Sequence, residues 1–136
     1  MVFFFGSTGG IKVVNRTETK GWGDPQGVTE DSTALQSNAL AVCVHPKLVQ
    51  NPIRVFYGAY VNGSPYIVES GGHLDGSSWD LAGPYFGNSD ARSGVACSVH
   101  ADRRINLYFH NTKYNVIKQC YSEDGDYFFT CGNLLR

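Results

Sequence analysis

Two kinds of side chain in this sequence can do chemistry together: a charged pair, Arg54 and Glu69, and two indoles, Trp22 and Trp79. Arg54 opens one apolar run and Glu69 closes the next, so the strands of a hairpin would bring guanidinium and carboxylate together. Such a pair offers hydrogen-bond donors and acceptors in fixed geometry, which suits the vicinal hydroxyls of a sugar. An indole face suits the apolar C–H patch of the same sugar. The competing interpretation is a surface ion pair beside two indoles at the edge of a core.

The apolar runs that hold these residues recur along the chain. Strands are predicted at 2–6, 54–58 and 106–110, whose first residues are 52 positions apart. Each mixes apolar and aromatic residues, as buried strands do, and the Asn62-Gly63 pair is a strong hairpin signal. Second strands are predicted at 11–14, 66–69 and 116–120. Third strands are predicted to begin at an aromatic residue and to be followed by a glycine: Trp22 and Gly27, Trp79 and Gly83, and Tyr127 and Gly132.

A strand of small apolar residues precedes two of the units, at 41–45 and 96–100. One full unit therefore has four antiparallel strands. The units are predicted to lie within a single repeat domain that covers residues 1–136, and the first unit lacks its small-residue strand. Their approximate bounds are 1–27, 38–85 and 94–132.

Four-stranded meanders of this length are typical of propeller blades. We therefore predict an all-β fold, a partial β-propeller of about three four-stranded antiparallel blades with an incomplete first blade. A β-trefoil is the alternative, although a trefoil should show three equal units. An open ring of three blades leaves strand edges unpaired. We therefore expect a homo-oligomer that completes the ring, and a dimer of about six blades is favoured.

Composition argues against several classes of function. The formal net charge is -1 and no basic stripe is present, so no nucleic acid partner is expected. No apolar run is long enough for a membrane span. The apolar N-terminus is too short for a signal peptide, which leaves the protein cytoplasmic or secreted without a recognisable signal. Because no nucleophile motif or phosphate-binding glycine loop is present, neither an enzyme nor a cofactor is expected.

The four cysteines and four histidines lack metal-binding spacing. Because no C-x-x-C pair is present, no zinc or other metal site is predicted. Cys120 and Cys131 flank a predicted hairpin and can form a disulfide, and it is equally compatible with the sequence that all four cysteines are free, small and buried. His45 and His100 occupy equivalent places in two units, which indicates structural roles.

Three stretches of the second unit resemble the fungal fucose-specific lectins of the Aleuria type and their short bacterial relatives. Blades of that family read roughly I-R-V-Y, then I-x-E, then G-x-G-W-x-x-G. The corresponding residues here are Ile53-Arg54-Val55-Phe56-Tyr57, Ile67-Val68-Glu69, and Gly76-Ser77-Ser78-Trp79 with Gly83. The resemblance covers most of the chain, once per unit, and its motifs are most specific in the second unit.

The resemblance implies a lectin that binds fucose in clefts between adjacent blades, in a ring that the short relatives complete by oligomerising. Carried over by position, Arg54 and Glu69 would bind the hydroxyls and the ring oxygen of the sugar. Trp22, from the preceding unit, would stack on the apolar side of the sugar, and Trp79 would form the wall of the next cleft. The expected partners are therefore glycans or glycoconjugates, with fucosylated ones favoured.

The first and third units depart from this motif. The third unit has Asn106 at the Arg position and Lys118 at the Glu position, and Lys118 cannot accept a hydrogen bond. The first unit has Val2 at the Arg position and Val14 or Asn15 near the Glu position. One family-like sugar site per chain is therefore expected.

Two other functions are compatible with the sequence. A small propeller glycosidase needs two carboxylates at a defined separation, for which Glu69 and Asp80 are the candidates. A repeat module that binds another protein needs only an exposed face. Fold alone does not decide between these functions and a lectin.

Overall fold

The computed structural model describes residues 1–29, 39–48, 50–76, 78–81, 86–87, 94–101, 103–123 and 129–135. This part of the chain is all-β, with antiparallel sheets and no helix, which confirms the predicted class of fold. It therefore holds no helix long and apolar enough to cross a membrane. Its strands are β1 Val2–Phe5, β2 Ile11–Val14, β3 Arg16–Thr17, β4 Gly21–Trp22, β5 Gln26–Gly27, β6 Leu40–Val44, β7 Ile53–Val61, β8 Ser64–Gly72, β9 Trp79–Leu81, β10 Phe86–Gly87, β11 Val95–Val99, β12 Ile105–Asn111, β13 Val116–Ser122 and β14 Thr130–Leu135.

The middle sheet is formed by β6, β7 and β8 in that order, with β9 and β10 both pairing with β8. β9 pairs with the end of β8 near Gly72, and β10 pairs near Tyr66. The turn between β7 and β8 is Asn62-Gly63, with φ angles of 52° and 77°. A two-residue hairpin turn of this type needs positive φ at both positions. The hairpin predicted from this dipeptide is therefore confirmed.

The third sheet is a four-stranded meander in the order β11, β12, β13, β14. A disulfide joins Cys120 on β13 to Cys131 on β14, directly opposite each other with Cα atoms 4.0 Å apart. The sequence predicts a last strand that begins at Tyr127 and ends before Gly132. In the structure this strand, β14, begins at Thr130 and contains Gly132. Tyr127, like Gly83 in the middle unit, lies outside the described residues.

The first unit differs from the prediction at its outer strand. β1 and β2 form the predicted hairpin, but the strand that joins them is β5. Trp22, predicted to open that strand, instead ends β4, which pairs with β3 in a separate two-stranded sheet. Residues 16–22 close a hairpin of their own, in which the Thr17 hydroxyl accepts a hydrogen bond from the Lys20 N–H (3.1 Å). Gly21, which follows the turn and pairs with Thr17, has φ of 71°, a left-handed conformation that glycine adopts without strain.

The middle sheet is packed on both faces. One face meets the first sheet through a first core, which consists of Ile11, Val13, Val28, Ile53, Val55, Tyr57, Ala59 and Val68. The other face meets the third sheet through a second core, which consists of Ala39, Cys43, Phe56, Ile67, Phe86, Ile105, Leu107, Phe109 and Cys120. The two small-residue strands, β6 and β11, also contact each other. The three larger sheets are therefore stacked in chain order.

The direction of the side chains supports the 52-residue spacing for the second and third units only. Val55 and Leu107 both face the preceding sheet, as positions 52 residues apart should. In the first sheet, Phe3 and Phe5 face the following sheet and Val2 is 47% exposed. Arg54 occupies the face toward the following sheet in the middle unit. An odd shift moves every side chain of a strand to the other face, so the predicted equivalence of Val2 and Arg54 is wrong.

Among the described residues, the larger sheets contain three, five and four antiparallel strands. The arrangement of these sheets as propeller blades, the β-trefoil alternative and the completion of a ring by further copies of the chain stay predictions.

Candidate functional site

Arg54 and Glu69 meet across the β7–β8 hairpin. Phe56 pairs with Glu69 and Arg54 pairs with Gly71, so the two charged residues are diagonal neighbours on one face of the middle sheet. Nη1 of Arg54 donates a hydrogen bond to Oε1 of Glu69 over 2.8 Å. The sequence-based prediction that cross-strand placement joins these side chains is confirmed.

This ion pair is buried between the middle and third sheets and does not lie at an edge. The side chain of Arg54 is 3% exposed and that of Glu69 is fully buried. Both lie on the face of the middle sheet that carries Phe56 and packs on the third sheet. The interpretation as a surface ion pair is therefore wrong, and a sugar can reach Glu69 only if the two sheets separate.

Burial controls the ionisation of Glu69. Loss of hydration raises the pKa of Glu69 from its ordinary value of 4.5 to about 7, although the charge and hydrogen bond of Arg54 act in the opposite direction. Oε2 of Glu69 is buried without a hydrogen-bond partner among the described residues. The pair thus gives Glu69 one strong partner and leaves its second oxygen unsatisfied.

Two free cysteines lie beside this pair, one on each small-residue strand. Cys43 on β6 is directly opposite Arg54, and Cys97 on β11 packs against the second core. A side-chain hydrogen bond with Cys43 and burial raise the pKa of Cys97, which keeps it a thiol at neutral pH. The two cysteines, Cys43 buried and Cys97 partly buried, therefore lie at the contact of β6 with β11.

Trp79 lies on the other face of the middle sheet. It pairs with Gly72 at the end of β8, and its ring contacts the ring of Phe3 edge to face, with centroids 5.7 Å apart. Nε1 of Trp79 is buried without a hydrogen-bond partner among the described residues. Trp79 therefore belongs to the junction of the first and middle sheets, and the Arg54–Glu69 pair belongs to the next junction.

Trp22 is separate from both. It ends β4 in the first unit and is 56% exposed. The first unit packs on the face of the middle sheet opposite to Arg54 and Glu69. The structure therefore joins Arg54 to Glu69 but does not bring Trp22 to that pair, so the predicted stacking of Trp22 beside it is wrong.

The third sheet repeats the diagonal geometry with amides. Tyr108 pairs with Gln119 as Phe56 pairs with Glu69 in the middle sheet. Nε2 of Gln119 donates to Oδ1 of Asn106 (3.2 Å) and lies 3.4 Å from the Tyr108 hydroxyl. Asn106 and Gln119 thus occupy the positions that Arg54 and Glu69 occupy one unit earlier.

The predicted Glu-equivalent of the third unit, Lys118, is wrong by one residue. Lys118 pairs with Phe109, so it lies on the opposite face of β13 from Gln119. The motif aligns the apolar residues of β8 and β13, but the register of the β12–β13 hairpin decides which residue of β13 shares a face with Asn106. With a four-residue turn between Asn111 and Val116, Asn106 lies opposite Tyr121, and Gln119 is the nearest residue of β13 before Tyr121 on the same face.

The face of the third sheet that carries Gln119 points away from the second core. We call it the outer face, and its largest members are half-buried: Asn106, Tyr108, His110, Ile117, Gln119 and Tyr121. The guanidinium of Arg104 lies 5.1 Å from the centre of the Tyr121 ring, and the His110 ring is hydrogen-bonded to Asn115 (3.0 Å). This face combines amides, aromatic rings and partial exposure, and sequence patterning alone did not identify it.

Within the described residues, no group of three or more His, Cys, Asp or Glu side chains can hold a metal ion. Comparison of the chain with protein-family models, with curated proteins and with solved structures finds no significant match. The resemblance to the fucose-specific lectins therefore rests on the residues quoted for it.

Proposed function

We propose that this protein is a non-enzymatic carbohydrate-binding protein and that its sugar site is the outer face of the third sheet. The observation that carries the proposal is the amide of Gln119, held between Asn106 and the Tyr108 hydroxyl on a half-buried face. Side-chain amides donate and accept hydrogen bonds, as sugar hydroxyls require. The neighbouring Tyr108 and Tyr121 rings offer apolar surface for the C–H side of a sugar ring.

The outer face is preferred to the Arg54–Glu69 pair because of access. The two positions share one geometry, but the third sheet covers the charged pair and leaves Glu69 fully buried. In the third unit the same positions carry Asn106 and Gln119, and both are half-buried. The repeat therefore provides one closed copy and one accessible copy of the same diagonal pair.

The proposed ligand is a terminal sugar such as fucose. The resemblance of the middle unit to the fucose-specific lectins supports this choice. A deoxy sugar has vicinal hydroxyls for the amides of Asn106 and Gln119 and a methyl group that suits an aromatic or aliphatic neighbour. Ile117 and Tyr121 provide such neighbours on the same face.

The proposed assembly is a homo-oligomer that completes a ring. The first, middle and third sheets are stacked in chain order, so another copy would continue the stack beyond the outer face of the third sheet, with the sugar in the cleft between that face and the first sheet of the other copy. A dimer of about six blades lies within the usual range for propellers. Several weak sugar sites on one ring would bind a glycan-coated surface by avidity.

The glycosidase alternative is not supported by the position of its carboxylates. Glu69 is fully buried and bonded to Arg54, and Asp80 is bonded to Asn51. A glycosidase needs two carboxyl groups that flank the scissile bond. A substrate cannot reach Glu69 in this arrangement.

The test is a calorimetric titration of the protein with L-fucose and with other monosaccharides. A glycan array tests larger ligands. Saturable binding of at least one sugar is expected. Gln119→Leu should reduce binding at least about tenfold, because it removes the central donor and acceptor. Tyr121→Ala should weaken binding by removing a stacking surface.

Tyr60→Ala is the matched control, because Tyr60 is 48% exposed on β7 and is not part of the outer face. Arg54→Lys tests the closed pair. If Gln119→Leu binds sugar normally and Arg54→Lys does not, the ligand enters between the sheets and the outer face is not the site. If no glycan binds, the carbohydrate function is refuted. A strictly monomeric protein in sedimentation at micromolar concentration would contradict the ring.

A further inference from the structure

A pocket of about 460 Å³ lies where the two small-residue strands end. One wall is the end of β6 with the residues that follow it, and the other is the end of β11 with the residues that follow it. The two walls are adjacent because β6 and β11 contact each other. The lining includes Val44 and Lys47 from the first wall and Val99 and Arg103 from the second. Its volume is within the range of small-molecule sites, roughly 300–1,000 Å³.

Hydrogen bonds of His45 fix the two walls relative to each other. His45 is 1% exposed, and its Nδ1 accepts a hydrogen bond from the Lys47 N–H (3.3 Å). Nε2 therefore carries the proton and donates to the Arg103 carbonyl (2.9 Å). Arg103 is held in a tight turn, with φ of 75° and its N–H bonded to the His100 carbonyl (3.0 Å). The pocket is thus preformed, with a buried histidine as the link between two units.

The lining combines apolar walls with cationic groups. Val44 is 48% exposed although it is apolar, and Val99 lines the opposite wall. Lys47 and Arg103 are exposed cationic residues of the lining, one from each wall. An apolar cleft between two positive charges is complementary to an anion with an apolar body.

We propose that this pocket binds a small organic anion, a carboxylate, sulfonate or phosphate ester attached to an aromatic or aliphatic group. The anionic group lies between Lys47 and Arg103, and the apolar group packs on Val44 and Val99. The site is separate from the outer face and does not depend on sugar binding there. It requires two units at once, since each unit supplies one wall and one cation.

The experiment uses anilinonaphthalene sulfonate, whose fluorescence rises when it binds an apolar site. A titration of the full-length chain should give saturable binding with one site per chain. Phenylnaphthylamine, which has the same ring system without the sulfonate, should bind at least about tenfold more weakly. Binding of the sulfonate should also weaken as sodium chloride is added, because exposed charges are screened.

Two variants test the assignment of the anionic group. Lys47→Glu and Arg103→Gln should each weaken the sulfonate about tenfold while leaving the weak binding of phenylnaphthylamine unchanged. Lys113→Glu is the matched control, because it makes the same charge change on the β12–β13 turn. Thermal unfolding of each variant shows whether it is folded. Equal binding of the two dyes, or equal effects of Lys47→Glu and Lys113→Glu, would overturn the proposal.

Discussion

The six-membered ring of Trp79 lies directly over Gly72, which is its partner in the pairing of β8 with β9. A β-carbon at Gly72 would overlap Cε3 and Cζ3 of that ring and would stand 2.7 Å from Cη2. Contacts this short do not occur in folded proteins. Gly72 is therefore the residue that allows Trp79 to lie against the sheet and reach Phe3.

Gly72→Ala is expected to destabilise the protein by about 1–3 kcal/mol, because the Trp79 ring must leave its place. In a Trp79→Ala background the same substitution should cost less than about 0.5 kcal/mol, since nothing then occupies the space over residue 72. Urea unfolding of the four proteins of this double-mutant cycle measures the coupling. Equal costs of Gly72→Ala in both backgrounds would show that the ring does not lie there.

Arg54→Met is expected to destabilise the protein by about 3–5 kcal/mol, because it leaves the carboxylate of Glu69 buried without its counter-ion. The double variant Arg54→Met with Glu69→Leu should be more stable than Arg54→Met alone, because it buries no charge. Urea unfolding at pH 8 checks both values. A double variant as unstable as the single one would mean that packing, and not charge, dominates at this position.

The raised pKa of Glu69 predicts a dependence of stability on pH. Between pH 4.5 and about 7 the carboxyl is protonated in the folded protein and ionised in the unfolded chain. The folded state therefore binds more protons, and the free energy of unfolding should fall as pH rises through this window, by on the order of 3 kcal/mol. Glu69→Gln cannot titrate and should lack this fall. Identical pH profiles for wild type and Glu69→Gln would contradict the raised pKa.

The free thiols should react slowly in the folded protein. The hydrogen bond to Cys43 and burial raise the pKa of Cys97, so little nucleophilic thiolate is present at pH 8. Alkylation by iodoacetamide, followed by mass spectrometry, is expected to be at least about tenfold faster in urea than in buffer. Cys43→Ala removes the thiol partner and should speed the reaction of Cys97. A folded rate equal to the unfolded rate would show that Cys97 is accessible and ionised.

The strands and the pairing of Arg54 with Glu69 could be predicted because both depend on local alternation. The register of a hairpin decides which residues share a face, and the Asn62-Gly63 turn sets the register of β7 and β8. The burial of the pair could not be predicted in the same way. It depends on which face of the middle sheet receives the third sheet, and that is a property of the whole stack.

Two errors in the predicted site have a common cause, which is register. The 52-residue spacing equates Val2 with Arg54, although Phe3 is the residue that faces the next sheet. The motif equates Lys118 with Glu69, although Gln119 is the residue on the matching face. In both cases a shift of one residue reverses the face of a strand. An apolar run marks a strand well, but it does not show where the turn begins, and the turn decides which side chains meet.

The amide pair of Asn106 and Gln119 gives the last sheet a different character from the middle one. Uncovering an ion pair such as Arg54–Glu69 moves two charges between a low-dielectric interior and water, whereas neutral amides cross that boundary at much lower cost. The junction between the middle and third sheets, which forms during folding, therefore buries the charged pair. The end of the stack carries the neutral pair, whose hydration can be exchanged at lower cost, as reversible binding of the proposed sugar or of a second copy would require.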